Sequence, residues 1–264
     1  MVGALADKGW TLFPVDPALA RWAATARAAA LDRIANDTAH RDAWLDCEGT
    51  WFVGVDTLPN DASGAVPGGP PLAGAAFDAV TDSYGTLPLH AGQVSITYPG
   101  YPRPRKGESA AALRYRRNRD AAHVDGLHAQ GPDRRRHLLE RHAYILGLPL
   151  SRADAGASPL VVWEGSHHIL RRAFAEALAG TAPADWHKVD LTEPYQSARR
   201  EVFESCARVP LPASPGMATL VHRLALHGVA PWDEGAEAEE VGRMIAYFRP
   251  EFGDVRADDW LTAP

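Results

Sequence analysis

A β-rich fold with added helices is what this sequence predicts, and three observations carry the prediction. Runs of strand formers recur between residues 50 and 248, with turn residues between them. Glycine (23) and proline (21) are frequent, which suits many turns and short strands better than a helical bundle. Helix-like stretches concentrate in the first third of the chain and in 168–206. With 46% hydrophobic residues among 264, the chain can bury one sizeable core. No internal repeat or interdomain linker breaks it, so a single domain over 1–264 is expected.

The elements follow in order. GWTLFPVD (9–16) reads as a short strand. PALARWAATARAAALDRIA (17–35) is an Ala-rich helix with Pro17 in its first turn. TWFVGVD (50–56) is a strand, followed by the Gly/Pro loop PNDASGAVPGGPP and a short helix over 72–83. QVSITYP (93–99) is a strand with Gln93, Ser95 and Thr97 on one face and Val94, Ile96 and Tyr98 on the other. ALRYRRN reads as a weaker strand, and another begins near Arg141. SPLVVWE (158–164) is a strand. Ser166 is expected to cap a helix over 168–179 that Gly180 closes, and Thr192 one over 193–206. RVPLP, MATLVHRLALH and GRMIAYF are the last strand-like runs.

Composition excludes several function classes. Two cysteines, Cys47 and Cys206, with no CxxC argue against a disulfide scaffold or a cysteine zinc site and fit a reducing, cytoplasmic setting. MVGALADKGW lacks the basic start and apolar run of a signal peptide, and no apolar stretch is long enough to span a membrane. Residues 103–141 hold eleven Lys/Arg against five acids, inside a chain of net charge −6. Such a segment attracts anions, while the acidic remainder disfavours a general nucleic-acid binder. A small, anionic molecule is the expected partner.

His-x-Asp occurs twice, and backbone geometry separates the two. His40 and Asp42 lie in a helix-compatible stretch, where residues i and i+2 point in different directions. His123 and Asp125 lie in extended or turn-like backbone before Gly126, where i and i+2 project to one side and can share an ion. A second histidine would complete a two-histidine, one-carboxylate face that leaves coordination positions open, the arrangement of non-heme Fe(II) oxygenases. The candidates are His167, His168, His222 and His227. His222 and His227 are five apart, so within one regular strand they cannot both be ligands.

GMATLVHRLALHGVAPW (216–232) resembles the second-histidine strand of the phytanoyl-CoA dioxygenase family, Fe(II)/2-oxoglutarate oxygenases that include ectoine hydroxylases. SPLVVWEGSHHIL resembles that family's strand and Gly-Ser-His turn, HVDG its His-x-Asp, GRMIAYF its final strand and QVSITYPG the strand before the metal motif. The resemblance covers roughly residues 90–250, in the family's order. It implies a double-stranded β-helix (jelly roll, cupin-like) with N-terminal and inserted helices, its core over about 90–250 and helical support over 1–89. It implies His123, Asp125 and His227 as metal ligands, and it demotes His167, His168 and His222. The implied cofactors are Fe(II), 2-oxoglutarate and O2, with Arg243 on the far carboxylate of 2-oxoglutarate, Thr97 adding a hydroxyl and Gln93 facing substrate. The implied reaction hydroxylates a small molecule and releases succinate and CO2.

The sequence departs from the family in four places. Val229 stands where a hydroxyl residue is usual. Arg243 follows His227 by 16 residues, longer than the family spacing, which keeps Arg223 and Arg249 as substitutes. Asp120, Ala121 and Ala122 replace aromatic residues, and Gly147 replaces a bulky one, which would widen the pocket. The departures motivate a second reading, a cupin-like metal enzyme that does not use 2-oxoglutarate. A third is a non-catalytic binding barrel. The 99–120 loop and the 128–140 arginine run are expected to form a lid.

Overall fold

A computed structural model describes residues 2–264. The chain opens with α1 (Val2–Lys8) and β1 (Trp10–Phe13). Asp16 then caps α2 (Pro17–Asn36) by accepting from Ala18 N at 2.7 Å, and Pro17 sits in the first turn, where its missing N–H has no partner to lose. Next come α3 (Thr38–Trp44), β2 (Leu45–Asp46), β3 (Trp51–Phe52), α4 (Ala75–Tyr84), β4 (Gln93–Thr97) and α5 (Ala110–Asn118). A hairpin of β5 (Leu127–Gln130) and β6 (Arg135–Leu138) precedes β7 (Tyr144–Pro149) and β8 (Leu160–Trp163). The remainder runs α6 (Ser166–Leu178), α7 (Thr192–Ser205), β9 (Arg208–Leu211), β10 (Ala218–His222), β11 (His227–Val229), β12 (Arg243–Phe248) and α8 (Asp259–Thr262).

The strands form two facing antiparallel sheets. The larger has the order β1-β10-β7-β12-β4-β3-β2 and the smaller β11-β8-β9. Ile145 and Val221 of the larger sheet meet Leu160, Val162 and Leu211 of the smaller in a buried cluster, with Trp10, Val209 and Tyr247 against it. That cluster is the inside of the roll. The outward face of the larger sheet carries Val94, Ile96, Leu146, Leu148, Ala246 and Phe248, and packs on Leu19, Trp22 and Ala26 of α2. Each such large apolar side chain, fully buried, contributes about 1.5–3 kcal/mol. Helix (36%) exceeds strand (21%) in residue count, yet the sheets organise the molecule and the helices support them from outside.

Several local expectations are corrected. ALRYRRN is helical: Ser109 caps α5 by accepting from Ala112 N, and Arg116 turns inward to Glu108 (2.6 Å) and the Cys47 thiol (3.1 Å). Within the 128–140 run, Arg135 and Arg136 lie on β6 of a hairpin and Arg134 in its turn. Ser166 does not cap α6; Gly165, at φ 80°, stands there, and Ser166 Oγ accepts from Leu226 N at 2.8 Å. Thr192 begins α7 instead of capping it. The 50–56 strand shrinks to two residues, since Gly54 at φ 55° turns the chain away. MATLVHRLALH is two strands in two sheets, joined by the 223–226 turn. Gly147 does not widen a pocket, because a Cβ there would meet Thr219 Oγ1 at 2.5 Å and Tyr247 Cε1 at 2.9 Å. The space is already filled by those two side chains.

Candidate metal centre

His123 and His227 face each other across a single antiparallel bridge. His123 N donates to His227 O at 2.8 Å, and His227 N donates to His123 O at 3.0 Å. His227 opens β11 in the smaller sheet, so residues a hundred apart in sequence are held by paired backbone bonds. Val229 N donates to Asp120 O at 2.8 Å, extending the contact by one step. Asp120 itself is fixed by a two-pronged ion pair with Arg208 at 2.7 and 2.8 Å. This accounts for the missing aromatics at 120–122: the segment is anchored by charge pairing, with Asp120 and Ala121 at positive φ.

Two glycines make the approach feasible. A Cβ on Gly228 would lie 2.0 Å from Asp120 O, so only glycine permits the strands to come this close. Gly126, at φ 83°, turns the chain just after Asp125, where a Cβ would lie 2.2 Å from Glu140 O.

The side chains converge. One ligand atom each from His123, Asp125 and His227 lies within 4.8 Å of the other two. His123 Nε2 is 3.1 Å from Asp125 Oδ1, and His227 Nε2 is 3.7 Å from Asp125 Oδ2. Each imidazole has its Nδ1 on the carbonyl two residues upstream: His123 on Ala121 O at 3.0 Å, His227 on Ala225 O at 2.9 Å. Nδ1–H donates there, which leaves each Nε2 as a lone pair aimed at the shared point. Two imidazole lone pairs and a carboxylate facing one another repel unless a cation stands between them, so the donor set fits a divalent metal ion. Burial works against the charge on Asp125, yet the Arg249 guanidinium beside it holds its carboxyl well below the usual carboxylate range. The carboxylate is therefore ready to ligate at neutral pH. His227 is buried and Asp125 is partly buried, while half of the His123 side chain is exposed, so the centre opens on that side.

A second feature lies deeper, on the same inner faces. Arg243 pairs with Thr97 across β12 and β4. Both are buried, and among the described residues neither Arg243 Nη1 nor Thr97 Oγ1 finds a hydrogen-bond partner. Two orphaned donors on directly paired residues form a spot that an outside acceptor could complete. Val229 carries no hydroxyl, and Thr97 offers one opposite Arg243. Arg223 is excluded as a substitute: its guanidinium is buried and committed to backbone carbonyls, including Trp260 O at 2.7 Å and Ala143 O at 3.3 Å.

The remaining candidates separate from the site. His222 lies on β10, where Leu224 N donates to its Nδ1 and Arg171 contacts its Nε2; burial pushes its pKa well down, so it stays neutral. His167 bonds Ala6 O from α6, and His40 bonds Thr57 from α3. Gln93 is at the centre, but its Oε1 accepts from Arg249 Nη2 and its Nε2 donates to Val53 O at 2.9 Å. Sequence reasoning weighed Arg249 only as a substitute for Arg243; it is instead 3.2 Å from Asp125 Oδ2. A cleft of about 520 Å³ adjoins this point, lined among others by Leu89, His90, Gln93, Glu140, His142 and Arg249.

No family model and no curated protein matches the chain. Solved structures do. The non-heme alpha ketoglutarate dependent carbocyclase SnoK from nogalamycin biosynthesis aligns over 94% of this chain and 82% of its own, at 12% identity and a TM-score of 0.51. EvdMO1 aligns over 94% of this chain at 16% identity and a TM-score of 0.50; this chain spans about half of it (49%). AviO1 from Streptomyces viridochromogenes Tue57 aligns over 94% of this chain and 92% of its own, at 15% identity and a TM-score of 0.48. The likeness to SnoK and EvdMO1 is one of fold, and the fold is the jelly roll expected from the sequence. Among the described residues no helix is long and apolar enough to cross a membrane.

Proposed function

We propose that the chain is an Fe(II)- and 2-oxoglutarate-dependent dioxygenase that hydroxylates a small molecule. The observation that carries the reading is the convergence of His123, Asp125 and His227, with both Nε2 lone pairs directed at one point. These three would hold the iron. The unpartnered Arg243 Nη1 and Thr97 Oγ1 favour 2-oxoglutarate over a cupin-like enzyme that does without it, because they fit a distal carboxylate. The fold shared with SnoK, an alpha ketoglutarate dependent enzyme, accords with this. Iron(II) with 2-oxoglutarate supplies the oxidation: substrate C–H, 2-oxoglutarate and O2 become C–OH, succinate and CO2.

The chain's own residues bind and orient. Asp125 stays ionised and offsets one of the ion's two charges, so the site keeps a net positive charge suited to an anionic co-substrate. Arg243 and Thr97 would fix the far end of the co-substrate and thereby its near end. Ile145, Leu160, Val162 and Val221 keep the inside of the roll dry. The cleft beside Arg249 and Gln93 would admit the substrate.

The substrate's charge is a narrower matter. Arg105, Arg116, Arg135 and Arg141 of the basic segment are paired with Asp46, Glu108, Asp190 and Asp254. The cleft wall carries Asp56, Glu140 and Glu251 beside Arg249, His90 and His142. This mixed lining supports a small polar substrate, and an anionic one would meet a single arginine. The test is anaerobic: 2-oxoglutarate is titrated into Fe(II)-loaded protein, followed by calorimetry and visible absorbance. Saturable binding that Arg243→Met weakens is expected, with succinate formed once O2 is admitted. Metal-loaded protein that binds no 2-oxoglutarate sinks the proposal in favour of the cupin-like reading.

A further inference from the structure

Arg249 is held at four of its polar atoms. Its backbone N donates to His90 Nε2 at 2.9 Å, and its backbone O accepts from His142 Nδ1 at 3.0 Å. His142 is steadied in turn by Glu140, at 3.2 Å, and Glu140 also holds His128 at 3.0 Å. The side chain reaches past the end of β12. Nη1 donates to Asp125 Oδ2 at 3.2 Å and Nη2 to Gln93 Oε1. Gln93 cannot turn away, since its amide nitrogen is on Val53 O. Two imidazoles thus clamp the main chain, while a glutamine and a carboxylate clamp the guanidinium.

A cation beside a metal-binding carboxylate has two opposite effects. As a bare charge it repels the incoming ion and weakens binding. As a rigid donor it occupies one carboxylate oxygen and orients the other, which strengthens binding. The clamping decides between them: a guanidinium kept merely for its charge would need no histidine pair on its backbone. We propose that Arg249 is a positioning residue for the metal centre, fixing Asp125 through Oδ2 so that Oδ1, the oxygen beside His123 Nε2, is the one presented to the ion. The inference rests on the metal-binding reading above.

The sign of one substitution tests it. Co(II) affinity is measured by competition with a chromophoric chelator for the wild type, Arg249→Met, Arg249→Lys and Asp125→Ala, with the visible Co(II) spectrum recorded for each. Positioning predicts that Arg249→Met weakens Co(II) binding roughly 10–100-fold and alters the spectrum, because the carboxylate is free to rotate. Arg249→Lys, which keeps one donor, should fall between. Tighter or unchanged binding in Arg249→Met overturns the inference. If Arg249→Met does not fold, Gln93→Leu carries the test: it leaves the arginine but frees its second anchor, and an unchanged spectrum and affinity overturn the proposal. Co(II) bound by the wild type and lost in Asp125→Ala keeps the metal reading standing whatever Arg249 does. A wild type that binds no Co(II) overturns both.

Discussion

Arg243 opens β12 and Arg249 follows directly after its last residue, Phe248, and the two arginines stand in opposite states. Arg243 and Arg249 stand six residues apart, roughly 20 Å along a strand. Arg249 finds Asp125 and Gln93 already in place, and only its Nε lacks a partner. Arg243 is more deeply buried, and among the described residues no carboxylate pairs with it. An unpaired buried guanidinium is costly, so it persists where an anion from outside completes it. A guanidinium already paired instead shapes what it touches. Two identical side chains, one opening the strand and one just past it, are thus divided between holding the protein's own carboxylate and awaiting a ligand's.

The comparison can be broken or sharpened in graded steps. Asp125→Ala should have the largest effect, abolishing Co(II) binding and leaving Arg249 without its acceptor; equilibrium dialysis reads it. Arg243→Met should act only at the other end. It should leave Co(II) affinity near the wild-type value and raise the 2-oxoglutarate Kd roughly 10–100-fold, as expected for losing a charge-assisted hydrogen bond worth ~1.5–3 kcal/mol. Equal damage to both affinities would erase the distinction between the ends. Thr97→Val should weaken 2-oxoglutarate about 2–10-fold. It should also leave ligand-free stability unchanged or raised by about 1 kcal/mol, because the hydroxyl removed has no partner to lose.

The smallest effect concerns acid. The His142 hydrogen bond, opposed by burial and helped by His128, holds the Glu140 carboxyl at about 2 against an ordinary 4.5. A lowered folded-state value means stability that is complete above about 4.5 and is lost as pH falls toward about 2. In urea melts, Glu140→Gln should therefore differ from wild type above pH 4.5 and converge with it near pH 2. The group is half exposed, so the difference should be modest.

The pairing of His123 with Asp125 was legible because its signal is local, two residues sharing a side in extended backbone, whereas their convergence with His227 followed from the family resemblance and from no local signal. The inner face of β4 was legible for the same reason, since alternation alone puts Gln93, Ser95 and Thr97 together. Helix α5 was misread because Leu113 and Tyr115 alternate with Arg114 and Arg116 like a strand, while the deciding contacts, Arg116 with Glu108 and Cys47, are tertiary. The break between β10 and β11 was hidden for a similar reason: no glycine or proline marks the 223–226 turn, and Arg223 stabilises it by binding the distant 259–264 segment. Arg249 was seen only as an understudy for Arg243. Its role depends on the register of β12 against β4, which no single stretch encodes.

The carbonyl of Asp120 wedged against Gly228 has a consequence for how this protein can change. The two segments bearing the imidazoles interlock like adjacent teeth of a zip and cannot slip by one notch. Variation that retunes the chemistry is pushed outward, to the cleft lining and the 99–120 stretch. A saturation library should accordingly show residue 228 as nearly immutable while its neighbour Val229 tolerates many replacements.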